Sequence, residues 1–258
     1  IKLNNGHLLR PHNPAADEVV QGYAENIIAL NRYLNEKGIA FVYVVPPYTV
    51  NKYDPELPAG IHDYANENLD RLLKPIEAAG VDVMDLRKII REDGLDHYDM
   101  MYKTDHHWTT RGAFYAYGKL EERLVEKLRC KVDARVSDIA NYDVITYEQW
   151  HLGSYGQRTG AYYAGIDDFD LFVPKFPTKI QRLADSETGS MPELLYDMEP
   201  LQSRDTKSMY TYDHVFDNTL ENYRNLDCPN DKKILILTDS FGKAFTPYLV
   251  MGFQEVQY

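Results

Sequence analysis

The sequence predicts an α/β fold built around a parallel sheet, and three observations predict it. Helix-period and strand-period segments alternate through the first hundred residues. Two runs, 39–45 and the 234–237 centre of 233–238, are continuously apolar, as in strands covered on both faces. The second run leads directly into a turn and another helix-like segment, the doubly wound arrangement.

The elements follow in order. Val20, Tyr23, Ile27, Leu30 and Leu34 are spaced 3, 4, 3, 4 and define one helix face, with Gly38 as its stop. Residues 39–45 then read as a buried strand that ends at Pro46-Pro47. A second helix fits 61–79, with Leu69, Leu72, Leu73 and Ile76 inward, a kink at Pro75 and a stop at Gly80. Residues 81–86 alternate and read as the second strand. A short extended segment, 98–103, leads to Thr104-Asp105-His106-His107-Trp108. Thr109 or Thr110 caps a third helix, with Ala113, Tyr117, Leu120, Leu124 and Leu128 inward.

Residues 131–230 are rich in Tyr, Asp, Gly and Ser, and their periodicity is weak. Within them 170–176 and 209–216 read as strands. The stretch reads as an insertion over one end of the sheet, inside a single domain spanning 1–258. Order returns at the strand 233–238. Asp239-Ser240-Phe241-Gly242 follows, then a helix over 243–253 interrupted by Pro247. No closing strand is predicted after it.

Composition narrows the function. Basic residues number 28 against 40 acidic, a net charge of −12, and no basic patch stands out. A nucleic-acid partner is therefore not expected. The longest apolar run, 39–45, is far short of the ~20 residues that span a bilayer, and no secretory h-region is present. Cys130 and Cys228 form no disulfide framework and no metal-ligand spacing; two reduced structural thiols are the favoured reading, with one disulfide as the alternative. Tyrosine is abundant, 21 of 258 residues. Its apolar face and single hydroxyl suit both sugar clefts and half-polar cores.

Two places carry candidate chemistry. Ser240 lies where a strand turns into a helix. There a serine can attack a carbonyl while its own amide stabilises the oxyanion, or it can simply cap the helix. Asp105 and His107 are two apart, so in an extended segment they share a side. The carboxylate can then hold the imidazole tautomer whose other nitrogen faces a serine, with His106 pointing the opposite way. A polar pair capping the next helix is the plainer alternative. Asp and two His are also metal-ligand types, but adjacent residues rarely ligate one ion together, so no metal is expected. Asp167-Asp168-Phe169-Asp170 reads as a solvated loop. His62, His97, His151 and His214 have no partner in the local sequence.

Thr104-Asp-His-His-Trp108 with Thr109-Thr-Arg-Gly-Ala113 resembles the signature of the bacterial DHHW proteins, relatives of the alginate O-acetylation proteins with an SGNH-hydrolase-like fold. Val44-Val-Pro-Pro47, Leu57-Pro58, Gly153-Ser154-Tyr155-Gly156, Asp217-Asn218 and Leu237-Thr-Asp-Ser-Phe-Gly242 are similar to further family blocks, from Leu8-Leu9 to Tyr258. The sequence departs from the family where Tyr48, in place of a lysine, follows the two prolines. The family also continues past this endpoint, so the chain is expected to be trimmed at both ends.

The resemblance implies a three-layer, flavodoxin-like parallel sheet with the tyrosine-rich insertion over its strand ends. It implies a triad of Ser240, His107 and Asp105, with Asn218 and Gly153 as oxyanion donors. Trp108, Tyr155 and Tyr162 are the candidate sugar contacts. The implied function is O-acetyl transfer to a cell-envelope or secreted polysaccharide, without a cofactor and with a membrane-bound acetyl-transfer partner. A carbohydrate acetylesterase or a non-catalytic polysaccharide-binding or assembly protein are the alternatives. The expected location is the cell envelope or outside the cell, through an N-terminal anchor beyond this chain.

Overall fold

The computed structural model describes residues 1–202 and 209–258. The chain divides into two compact units, Ile1–Tyr98 and Asp99–Tyr258.

In the first unit α1 (Asp17–Glu36), β1 (Tyr43–Val45), α2 (Ala65–Ala78), β2 (Val83–Asp85) and α3 (Leu86–Glu92) alternate as the sequence predicts, with α3 as an addition. Strands β1 and β2 pair in parallel, Tyr43 opposite Val83. The core joins Ala24, Val45, Leu73, Ile76 and Val81, with Ile27, Ile28, Leu69 and Leu72 against it. The inward stripe of α1 is thus Ala24, Ile27, Ile28 and Asn31. Tyr23, expected inside, is 62% exposed. The stripe is rotated because the small Ala24 lets the helix approach its neighbours, and the phenol ring sits at the margin.

One buried cation organises this unit. Arg87 is 2% exposed. Its guanidinium donates to Asp85 Oδ1 and Oδ2 (2.9 and 2.7 Å), Asp70 Oδ1 (2.9 Å) and Asn66 Oδ1 (3.1 Å). It ties α2 to the junction of β2 and α3.

In the second unit the helices are α4 (Thr110–Leu128), α5 (Ser154–Thr159), α6 (Ala161–Ala164), α7 (Met191–Leu195), α8 (Glu199–Gln202), α9 (Thr211–Val215) and α10 (Thr246–Gly252). The strands are β3 (Tyr142–His151), β4 (Asp167–Pro174), β5 (Ile180–Arg182), β6 (Thr188–Gly189), β7 (Tyr223–Asn225), β8 (Lys233–Leu235) and β9 (Glu255–Gln257). Helix α4 starts as predicted: Thr109 caps it by accepting from Gly112 N at 3.1 Å. It buries Ala113, Tyr117, Leu120 and Leu124.

Several expectations are corrected. The sheets are small and mixed, where the sequence predicts one parallel sheet: a β3–β4 antiparallel hairpin, and a second sheet in the order β6-β5-β7-β9-β8 with only β8–β9 parallel. Strand β9 supplies the closing strand that the sequence does not announce. Strand β8 lies at the sheet edge, so Leu235 and Leu237 are 66% and 75% exposed, not buried. Residues 211–215 are helical, not extended, because five residues are too few for periodicity to separate the two states. Pro247 stands in the first turn of α10, where a missing N–H is harmless, and does not interrupt it. Among the described residues no helix is long and apolar enough to cross a membrane. Both cysteines are free thiols.

Arg87→Met removes the cation and leaves Asp70 and Asp85 facing each other. The expected loss is about 3 kcal/mol of unfolding free energy, read by urea or thermal unfolding. Lys52, 2.7 Å from Asp70, keeps the loss from being larger.

Candidate active site

The segment before α4 is a closed loop. Met101 and Trp108 form an antiparallel bridge, Tyr102 N donates to His107 O (3.2 Å) and Thr109 N to Met100 O (2.8 Å). Residues 103–107 bend between these ties. Gly112 is required here, since a Cβ would come within 2.6 Å of Met100 O.

The loop puts Asp105 and His107 on one side, and the Ser240 turn comes to meet them. His107 Nδ1 donates to Asp105 Oδ2 (3.1 Å), and Nε2 lies 2.6 Å from Ser240 Oγ. Asp105 and His107 are 0% and 1% exposed, and Ser240 is half-buried. Ser240 begins a short 3-10 turn, Ser240–Gly242, after strand β8. Asp239 Oδ1 accepts from Phe241 N (3.0 Å) and shapes the turn.

The carboxylate is a hub. Oδ1 also accepts from His106 N (2.7 Å), Ser154 Oγ (2.8 Å) and Ser154 N (3.3 Å). His151 Nε2 lies 3.3 Å from Oδ2. Burial opposes ionisation of Asp105, yet hydrogen bonds from His106, His107 and His151 hold its carboxyl well below the usual carboxylate range. Burial lowers His107 below the ordinary histidine value, with Asp105 pulling the other way.

His106 does not point away from His107. Its ring centroid lies 3.8 Å from the His107 ring, and its Nδ1 is 2.9 Å from Ser154 Oγ. The expectation of divergence assumes an extended backbone, and the loop is bent. One donor atom each from Asp105, His106 and His107 falls within 4.8 Å of the others, so these are the residues that could approach a common cation. Their near atoms are already engaged with Ser154 and with one another.

The remaining predicted residues are placed as follows. Gly153 lies against Asp105, where a Cβ would come within 2.2 Å of the Asp105 Cβ. Its N–H donates to Thr104 Oγ1 (2.8 Å), so it is not free to bind an oxyanion. Asn218 stands in a 3-10 turn, Asp217–Leu220, and its carbonyl accepts from Tyr223 OH (2.7 Å). Lys243 links that turn to the Ser240 turn through Asp217 (3.3 Å) and Asp213 (2.5 Å). Trp108 is 3% exposed and packs on Phe241 and Phe245, which makes it core and not a sugar platform. Tyr155 stands 5.9 Å from the His106 ring. Tyr162 is fully exposed on α6.

Three contributors escape the sequence reading. Tyr212, on α9, stacks on His107 at 4.2 Å and 14°, and its hydroxyl donates to Ser240 O (3.0 Å). Asp167, read as a solvated loop residue, accepts from Thr104 N and Oγ1 (2.8 and 2.7 Å) and Lys103 N (3.1 Å), fixing the 101–108 loop from β4. His151 reaches Asp105 from the end of β3. No local pattern marks these three. The one available signal is composition, since Asp167 opens a run of three acids in four residues.

Two family models match. The model described as "DHHW protein" matches residues 86–258, and that described as "SGNH hydrolase-like domain, acetyltransferase AlgX" matches 7–138. Among solved structures, Bacillus cereus PatB1 has a TM-score of 0.76 at 23% identity, covering 98% of this chain and 84% of that one. PatB1 with a sulfonyl adduct has a TM-score of 0.73 at the same identity, covering 98% and 82%. A DHHW family protein from Eubacterium siraeum has a TM-score of 0.62 at 18% identity, covering 96% and 77%. These likenesses carry the fold. Among curated proteins none matches. Each family model spans more than half of the sequence, and the chain belongs to the DHHW proteins, with an SGNH hydrolase-like domain.

Proposed function

We propose that the chain is an O-acetyltransferase acting on a polysaccharide of the cell envelope or secreted matrix, through Ser240, His107 and Asp105. The observation that carries the reading is the 2.6 Å contact of Ser240 Oγ with His107 Nε2, backed by a fully buried carboxylate on Nδ1. The family model named for an acetyltransferase supports acyl transfer.

In the proposed reaction His107 takes the Ser240 proton as Oγ attacks the acyl carbonyl. Asp105 holds the imidazolium, which then protonates the leaving oxygen as the donor ester bond breaks. The backbone amide of Ser240 and the side chain of Asn218 are the proposed oxyanion donors. A sugar hydroxyl next gives its proton to His107 and attacks the acyl-serine carbonyl; the acyl–Oγ bond breaks and His107 returns the proton to Ser240 Oγ. The donor is supplied by a membrane-bound acetyl-transfer partner, and Tyr155 and Tyr162 are the proposed sugar contacts. With water in place of the sugar the same site is a carbohydrate acetylesterase. A binding or assembly protein would leave the site idle.

Ser154 with His106 forms a second serine–histidine pair on the same carboxylate. It is the weaker nucleophile, because its hydroxyl donates to Asp105 Oδ1 and not to an imidazole nitrogen that can accept.

Three outcomes test the proposal. A sulfonyl fluoride should add once, at Ser240. Ser240→Ala should lose labelling and lower turnover of a chromogenic acetyl ester by about 10³-fold or more. Labelling at Ser154 instead would move the nucleophile. Acetyl transfer to oligosaccharides with acceptor-dependent turnover marks a transferase; free acetate alone marks an esterase; no turnover and no labelling with polysaccharide binding intact marks a binding protein.

The base must be neutral to work, and burial lowers its pKa. Protonation therefore shuts the site off only below the ordinary histidine value of about 6.5, and kcat/KM should be flat from pH 7 to 8. A half-maximum above 6.5 would contradict this. Gly153→Ala should push α5 away from Asp105, lowering kcat/KM at least tenfold and unfolding free energy by about 1–3 kcal/mol.

A further inference from the structure

We infer that His151 is a positioning residue of the acyl-transfer site, a second imidazole donating through Nε2 to the carboxylate that orients the base. The inference rests on the proposed role of Ser240 and His107. It begins with a tautomer. His151 Nδ1 accepts from Tyr212 N (3.4 Å), so the proton of a neutral ring lies on Nε2. That nitrogen is buried and lies 3.3 Å from Asp105 Oδ2, a contact short of standard hydrogen-bond geometry, and no hydrogen bond satisfies it among the described residues. His151, Asp105 and His107 are all at most 1% exposed, so no solvent competes for the contact.

The backbone is shaped to deliver this ring. Strand β3 pairs regularly with β4 to Tyr147 opposite Phe169, and the register then shifts so that His151 faces Asp167. Gln149 in the shifted stretch has a φ of 51°, and its N–H donates to Asp168 Oδ1 (2.7 Å). A bulge of this kind re-aims one side chain out of the strand's alternation. Here the re-aimed side chain is His151, two residues before the Gly153 that touches Asp105.

His151 and His107 share one oxygen, Oδ2. The negative charge that Asp105 offers to His107 is therefore divided. Removing the His151 donor leaves Oδ2 to His107 alone, favours its protonated form and moves the acid limb of activity upward in pH. The other groups facing His107 stay in place: Ser240 at Nε2, the His106 ring at 3.8 Å and the Tyr212 ring at 4.2 Å. Around His151 the further ionisable neighbours are Asp167, its partner across the ladder, whose carboxylate accepts from Thr104 N and Oγ1, Tyr102 at 4.4 Å and Tyr210 at 5.9 Å. Neither phenol carries charge near neutrality, since burial pushes both up.

The test compares wild type with His151→Gln, which keeps a donor at the position of Nε2, and His151→Phe, which keeps the ring volume alone. The acid limb of kcat/KM for an acetyl ester should rise by about half a pH unit or more in His151→Phe and stay near wild type in His151→Gln. The pH at which the His107 ring titrates, followed by imidazole NMR in the same variants, should move in parallel. An unchanged His107 titration in His151→Phe, or an equal shift in both variants, overturns the inference and leaves His151 a packing residue. NMR reads this even when turnover is absent. A wild type that neither turns over ester nor labels at Ser240 instead overturns the proposed reaction. Thermal unfolding of both variants identifies one that has not folded, and the titration in His151→Gln together with the Nε2 proton of wild-type His151 then decides.

Discussion

A single carboxylate buried away from water sets the terms for the second unit. A lone ion in that position would cost several kcal/mol and would take up a proton instead. Asp105 remains ionised because donors arrive from three places: His106 and His107 in its own loop, Ser154 at the start of α5, and His151 at the end of β3. Each donor fixes a segment. Residues 151–156 must run directly beneath the loop, which is why Gly153 has no room for a Cβ and why Tyr155 N and Gly156 N both donate to Thr104 O. Asp167 then holds the loop from the far end of the same excursion. The 101–108 loop is thus a product of the hairpin that the sequence presents as an insertion.

Tyrosine abundance is explained by the same mixture of burial and polarity. Tyr117, Tyr212, Tyr223 and Tyr248 are fully buried, and Tyr102, Tyr142 and Tyr196 nearly so. Three of these hydroxyls donate to backbone carbonyls across the fold: Tyr142 to Val136 O, Tyr196 to Phe172 O and Tyr223 to Asn218 O. A phenylalanine would fill these positions and leave the carbonyls without donors. A third of the tyrosine that suggests a sugar cleft, seven of 21, is therefore core, and Trp108 joins it. Tyr162 remains toward solvent, and Tyr155 is half-buried.

Legibility in the sequence follows the range of the interaction. Thr109 as a cap, the inward face of α4 and the Asp-x-His pair depend on neighbours within one turn, and they are readable. The pairing of His107 with Ser240 crosses 133 positions; only the two motifs taken together suggest it. His151 meets Asp105 across 46 positions and Asp167 meets Thr104 across 63, with no local mark. Strand β3 hides as well, because most of its residues face solvent and its bulge breaks the period of two. His106 shows a subtler failure. The i, i+1 divergence that separates its ring from His107 holds for extended chain, and a closed loop of eight residues is not extended.

The site is sheltered on one side only, and this bears on the choice between sugar and water. His107 lies between the stacked Tyr212 ring and Phe241, with its Nδ1 on a carboxylate that water does not reach. The His107–Asp105 contact is dry. The Ser240 turn is not: residues 237–239 are exposed, and Ser240 is only half-buried. An acyl group on Ser240 would therefore stand at an open rim, where water has access. Selectivity for a hydroxyl acceptor under the proposed reaction cannot come from the walls that hold His107. It has to arrive with the acceptor, whose own ring displaces water as it docks beside Tyr155 and brings its oxygen into line with Nε2. That places the decision between transfer and hydrolysis in acceptor binding and not in the serine–histidine–aspartate geometry, which serves either.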